Sequence, residues 1–104
     1  MSAIIKEFDR YLIDFNTPQW GSTRAVIHCY KGFAKVGSIT FRNEASQLTD
    51  STQFNFVLLE FHEKSFSNIM DILRNERPLY LKYQPAHNRG WLATTLEAVG
   101  EEES

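Results

Sequence analysis

The chain has 104 residues and a formal net charge of −2, with 42% hydrophobic, 23% charged and 13% aromatic residues. That length suits one domain, 1–104; the balance excludes an intrinsically disordered chain and is not that of a dedicated nucleic-acid binder, which weighs against nucleic acid without removing it. Its single cysteine, Cys29, has no partner for an internal disulfide. The longest apolar run, Phe56-Val57-Leu58-Leu59, is far short of the ~20 residues of a spanning helix, and the first residues hold no signal-peptide core. The expectation is a reduced, cytoplasmic protein with no membrane partner.

At the N-terminus two readings stay open. Ile4, Ile5, Phe8, Leu12 and Phe15 fit a helical stripe, whereas Tyr11, Ile13 and Phe15 alternate as a strand from about Tyr11 onward. A turn-rich loop, Asn16 to Ser22, carries Trp20, expected to cap the core edge. Arg24 to Tyr30 and Val36 to Arg42 alternate as strands around Lys31-Gly32-Phe33-Ala34-Lys35, with Gly37 a bulge or a close-packing point. Between Phe15 and Asn43 there is no acid, while Arg24, Lys31, Lys35 and Arg42 all fall there. The first reading is a solvated strand face that blocks edge pairing; the second is an attraction for phosphate.

Phe54 to Phe61 is apolar on both faces, the pattern of a central, doubly covered strand. Phe66, Ile69, Met70 and Leu73 then recur at helical spacing, predicting a helix over about Ser65 to Asn75 with Ser65 as N-cap. Arg74 and Arg77 suit its C-terminal end and Pro78 stops it. Leu79, Leu81 and Tyr83 form one side of a strand. Leu92, Thr94, Leu96 and Ala98 form one side of its hairpin partner, with Pro85 to Gly90 as the loop and a flexible acidic tail from about residue 100. The sum is an α+β fold: a mostly antiparallel sheet of about five to six strands, in the order ββββαββ, with one helix and a second left open at the N-terminus.

The chemistry-bearing residues point away from catalysis. His28 and Cys29 are neighbours on a strand, so their side chains take opposite faces and cannot share a proton. His28, His62 and His87 are scattered, and His62-Glu63 lacks the second histidine of a zinc motif. Gly32 to Ser38 resembles a phosphate loop but lacks its lysine and leads into a strand. Glu60, Glu63 and Asp71 form no acid/base pair in sequence. No catalytic residue, metal ligand or cofactor is expected.

Three features carry binding potential. Tyr80, Lys82, Trp91 and Thr95 share the outward phase of the C-terminal hairpin, where an indole and a phenol flank a lysine. That face is a base-stacking platform, a surface covered by a second chain, or a core face under the N-terminal segment. The loop presents His87, Asn88 and Arg89 together, and Trp20 stands in a loop of its own.

Val36-Gly37-Ser38-Ile39-Thr40-Phe41, Leu73-Arg74-Asn75-Glu76-Arg77-Pro78 and Thr95 to Glu102 resemble blocks of a family of small uncharacterised bacterial proteins. Four strands followed by a helix is also similar to the Whirly-type single-stranded DNA-binding fold, and that resemblance implies nucleic-acid binding and helix-mediated pairing of chains. The reading adopted is a non-enzymatic binding domain that self-associates as a homodimer through a sheet face or edge. The alternative is a single-stranded nucleic-acid binder, with Arg24, Lys31, Lys35, Arg42 and Lys82 on phosphates and Tyr80 and Trp91 on bases. A third is a small enzyme whose site assembles only in three dimensions.

Overall fold

A computed structural model describes residues 3–17, 19, 21–53 and 55–94. Trp20, Phe54, Thr95, Leu96, Ala98 and the acidic tail, all given roles above, lie outside the described residues. The order is β1 (Ile4–Phe8), β2 (Arg10–Phe15), β3 (Thr23–Lys31), β4 (Ala34–Arg42), β5 (Ser51–Gln53), β6 (Phe56–His62), α1 (Phe66–Asn75), β7 (Leu79–Gln84) and β8 (Arg89–Thr94). A 3-10 turn over Glu63–Ser65 leads into α1. Among the described residues the fold is α+β with one helix, as expected, but eight strands make two sheets rather than one.

The larger sheet runs β2-β3-β4-β6-β5 and the smaller runs β1-β7-β8. All pairings are antiparallel except β4 with β6, which run parallel from Gly37 against Val57 to Arg42 against His62. The N-terminal segment is two strands, which removes the second helix. Its apolar residues serve two sheets with a break at Asp9. Phe8 is buried against β7, and Ile13 packs on the other layer from β2. At the break the Asp9 N–H donates to the Tyr30 carbonyl and its carboxylate accepts from the Gly32 N–H, turning the chain from one sheet to the other.

One face of the larger sheet is dry: Ala25, Ile27, Cys29, Ile39, Phe41, Val57 and Leu59 are buried there. The smaller sheet covers one end of that face with Phe8, Leu79, Leu81 and Tyr83; α1 covers the other with Ile69, Met70 and Leu73. Phe66 anchors the helix edge-on to Phe41 at 5.0 Å. Its N-terminus lacks the expected cap, because Ser65 is already helical in backbone and its side chain makes no capping bond. The strand read as doubly covered is covered once. Val57 and Leu59 on β6 are buried, while Phe56 and Leu58 on its other face are half-buried.

Candidate binding surface

The outward face of the smaller sheet is set by register. Lys82 on β7 stands directly between Ile5 on β1 and Trp91 on β8, and the next row is Glu7, Tyr80 and Ala93. This face is not a core, because the N-terminal segment joins β7 as a third strand instead of lying over the indole. Trp91 keeps 41% of its surface exposed, and Ile5 beside Lys82 is exposed as well. The Lys82 ammonium sits 5.9 Å from the centroid of the Tyr80 ring, a cation–π arrangement on the open face.

Toward the turn, Gln84, His87, Arg89 and Trp91 line an open depression of about 320 Å³. The loop is tighter than its six residues suggest, since Gln84 and Arg89 already pair. The His87 N–H donates to the Gln84 carbonyl and the Asn88 N–H to Pro85, with Asn88 at φ 51°. The Tyr83 hydroxyl donates to Asn88 Oδ1, so that oxygen helps to hold the turn. Among the described residues, Lys82, His87 and Arg89 have no ion-pair partner.

The four cations of the acid-free stretch are placed differently. Arg42 donates to Glu60 at 2.8 Å and to the hydroxyls of Ser22 and Thr23. Arg24 bonds the Gly21 carbonyl and lies 3.5 Å from Glu63. Lys31 donates to Glu7 at 3.0 Å, a bond that raises its pKa, and also approaches Asp9. The Gly32 N–H, aided by Lys31, holds the Asp9 carboxyl below its ordinary range. Lys35 donates to His28 Nδ1 at 2.9 Å. Because an ammonium only donates, the ring proton sits on Nε2, which donates to Asp14 at 2.9 Å. These cations meet acids or a ring nitrogen within the fold: Lys31 reaches the hairpin face through Glu7, while Arg24, Lys35 and Arg42 stand on the larger sheet.

The remaining chemistry is structural. Cys29 is fully buried, burial pushes its thiol up to about 12, and His28 projects from the opposite face of β3. His62 bonds the Ser46 carbonyl and lies 3.8 Å from Glu44. A second cleft, about 330 Å³, opens over Phe8, Leu73 and Leu79 with Glu7, Asp9 and Glu76 on its rim. Two of those carboxylates already hold Lys31. Among the described residues no three His, Cys, Asp or Glu side chains gather as metal ligands, and no described helix is long and apolar enough to cross a membrane.

Two features escaped sequence reading: Ile5 on the hairpin face, and the exposed apolar edge of β2. Ile5 was legible only as one of a helical stripe. Its strand phase depends on the pairing of β1 with β7, about 75 residues away. Comparison with known proteins gives no match: no protein family, curated protein or solved structure resembles the chain significantly.

Proposed function

We propose that the chain is a non-enzymatic binding domain whose working surface is the outward face of β1, β7 and β8. The observation that carries this is the pairing of an exposed indole with an ammonium directly across the strands, flanked by Arg89 and His87. The four cations of the acid-free stretch are tied to acids or to an imidazole; Lys82 and Arg89 are presented beside Tyr80 and Trp91. Planar rings alternating with anionic groups fit such a surface, and single-stranded nucleic acid is the ligand class of that chemistry.

Magnitudes define the test. Stacking on Trp91 contributes ~1–3 kcal/mol, so Trp91→Ala weakens oligonucleotide binding roughly 5- to 150-fold. Lys82 and Arg89 neutralise about two phosphates, so log K falls against log salt with a slope near −1.4, shallow for a nucleic-acid protein. Short poly-dT and poly-U at low salt should quench tryptophan emission. Emission unchanged by both removes the nucleic-acid reading and leaves the face to a protein partner.

A further inference from the structure

β2 is an edge strand with an unusually apolar exposure. Leu12 is 54% exposed and Phe15 70%, Tyr11 is exposed beside them, and Phe33, 90% exposed, lies under the Arg10 guanidinium at 4.9 Å. Among the described residues, four of the six exposed large hydrophobic side chains therefore gather at one sheet edge. No described strand pairs with its open side. Natural edges of this kind are normally blunted by lysine, proline or a covering loop, or else they are used.

The backbone phase of the edge is fixed. The Asn16 N–H donates to the Arg24 carbonyl, and that register continues through Asp14 opposite Val26 and Leu12 opposite His28. Even-numbered residues thus point their amides at β3. In an antiparallel ladder the alternate residues point the other way, so Tyr11, Ile13 and Phe15 offer their N–H and C=O groups to the open side.

We infer that β2 pairs antiparallel with β2 of a second copy of this chain, about a two-fold axis through Leu12. Phase admits only registers that place odd residues opposite odd ones. A pairing centred on Tyr11 sets Leu12 against Arg10, and one centred on Ile13 sets it against Asp14. The pairing centred on Leu12 sets leucine against leucine, Tyr11 against Ile13, and Arg10 against Asp14 on both sides of the axis. The Leu12 and Arg10–Asp14 pairs occupy the non-hydrogen-bonded positions, where side chains approach most closely. The strand is thus complementary to itself in charge, in apolar surface and in hydrogen-bond phase at one register. The two larger sheets become one continuous sheet, with the hairpin faces left open.

The charge pairs give the test. Arg10→Glu sets acid against Asp14 of the second copy, and Asp14→Lys sets lysine against its Arg10; each variant alone is expected to sediment as a monomer. Mixed in equal amounts, the two restore opposite charges at both positions and are expected to form a heterodimer of twice the 12.1 kDa chain mass. Leu12→Lys, which places two ammonium groups on the axis, is expected to sediment as a monomer by itself. Circular dichroism confirms that each variant is folded. Wild-type protein sedimenting as a monomer at millimolar concentration overturns the inference. So does a mixture that fails to dimerise, or single variants that dimerise like wild type.

Discussion

Burial alone would raise the Glu60 carboxyl, but hydrogen bonds from Arg42 and the Thr49 N–H, with the charge on Arg42, outweigh it and leave the group below its usual 4.5. A carboxyl depressed in the folded state stabilises the fold above the unfolded value and loses that contribution as pH falls through the folded one. Glu60→Gln keeps the shape and removes the charge. At neutral pH the expected cost is about 1–2 kcal/mol, between an exposed pair and a fully buried one, because both side chains are mostly covered. In urea titrations the gap from wild type should narrow as pH falls below the ordinary glutamate value of 4.5 and wild-type Glu60 takes up its proton. A gap constant from pH 7 to pH 3 would mean packing, not charge, sets the cost. Alternation alone separated His28 from Cys29 in the sequence, since that geometry is local. The acids that hold Arg42, Arg24 and Lys31 were not legible, because Glu60, Glu63 and Glu7 reach them from other elements.

At the scale of elements, β5 is too short to finish the ladder on β6. It pairs only with Phe56, Val57 and Leu58, and side chains from the preceding loop continue where it ends. Asp50 Oδ1 accepts from the Glu60 N–H, while Asp50 Oδ2 accepts from the Gly90 N–H on β8. One carboxylate therefore ties the larger sheet to the smaller. Asp50→Asn leaves one acceptor for two donors and turns an NH2 toward one of them, an expected loss of about 1–3 kcal/mol. Hydrogen exchange should show the amides of Glu60 and Gly90 losing more protection than their strand neighbours. Equal loss along both strands would mean global destabilisation without a clamp. The helix and the hairpin after it were legible from period and punctuation, Phe66 to Leu73 and then Pro78. The clamp was not: a lone aspartate before a three-residue strand has no periodic signature.

Across the whole molecule, the two sheets meet through glycines. A Cβ on Gly37 would lie 2.3 Å from the Val57 carbonyl oxygen and 2.5 Å from Leu81 Cδ1. On Gly90 it would lie 2.3 Å from Leu59 Cδ2 and 3.0 Å from the Lys82 carbonyl oxygen. Each sheet thus sends a leucine into the other's glycine. The close-packing option for Gly37 was visible in the sequence. Its partner Leu81 and the reciprocal role of Gly90 required knowing that there are two sheets, and the parallel pairing of β4 with β6 that positions them has no local signal. The two sites differ in what can yield. At Gly37 the nearest obstacle is backbone held in the β4–β6 ladder; at Gly90 it is the end of a side chain that has rotamers. Overpacking a core costs ~1–3 kcal/mol, with the larger values where the backbone itself must shift. Gly37→Ala should therefore lower the thermal midpoint more than Gly90→Ala. Shortening the opposing side chain with Leu59→Ala should offset more of the Gly90→Ala loss than Leu81→Ala offsets of the Gly37→Ala loss. The carbonyl of Val57 remains in the way at 2.3 Å at one site, whereas the nearest backbone left at the other is the Lys82 carbonyl at 3.0 Å. Double-mutant cycles on the two pairs measure this, and equal coupling at both would show that side-chain contact between the sheets, not the β4–β6 backbone, requires glycine at position 37.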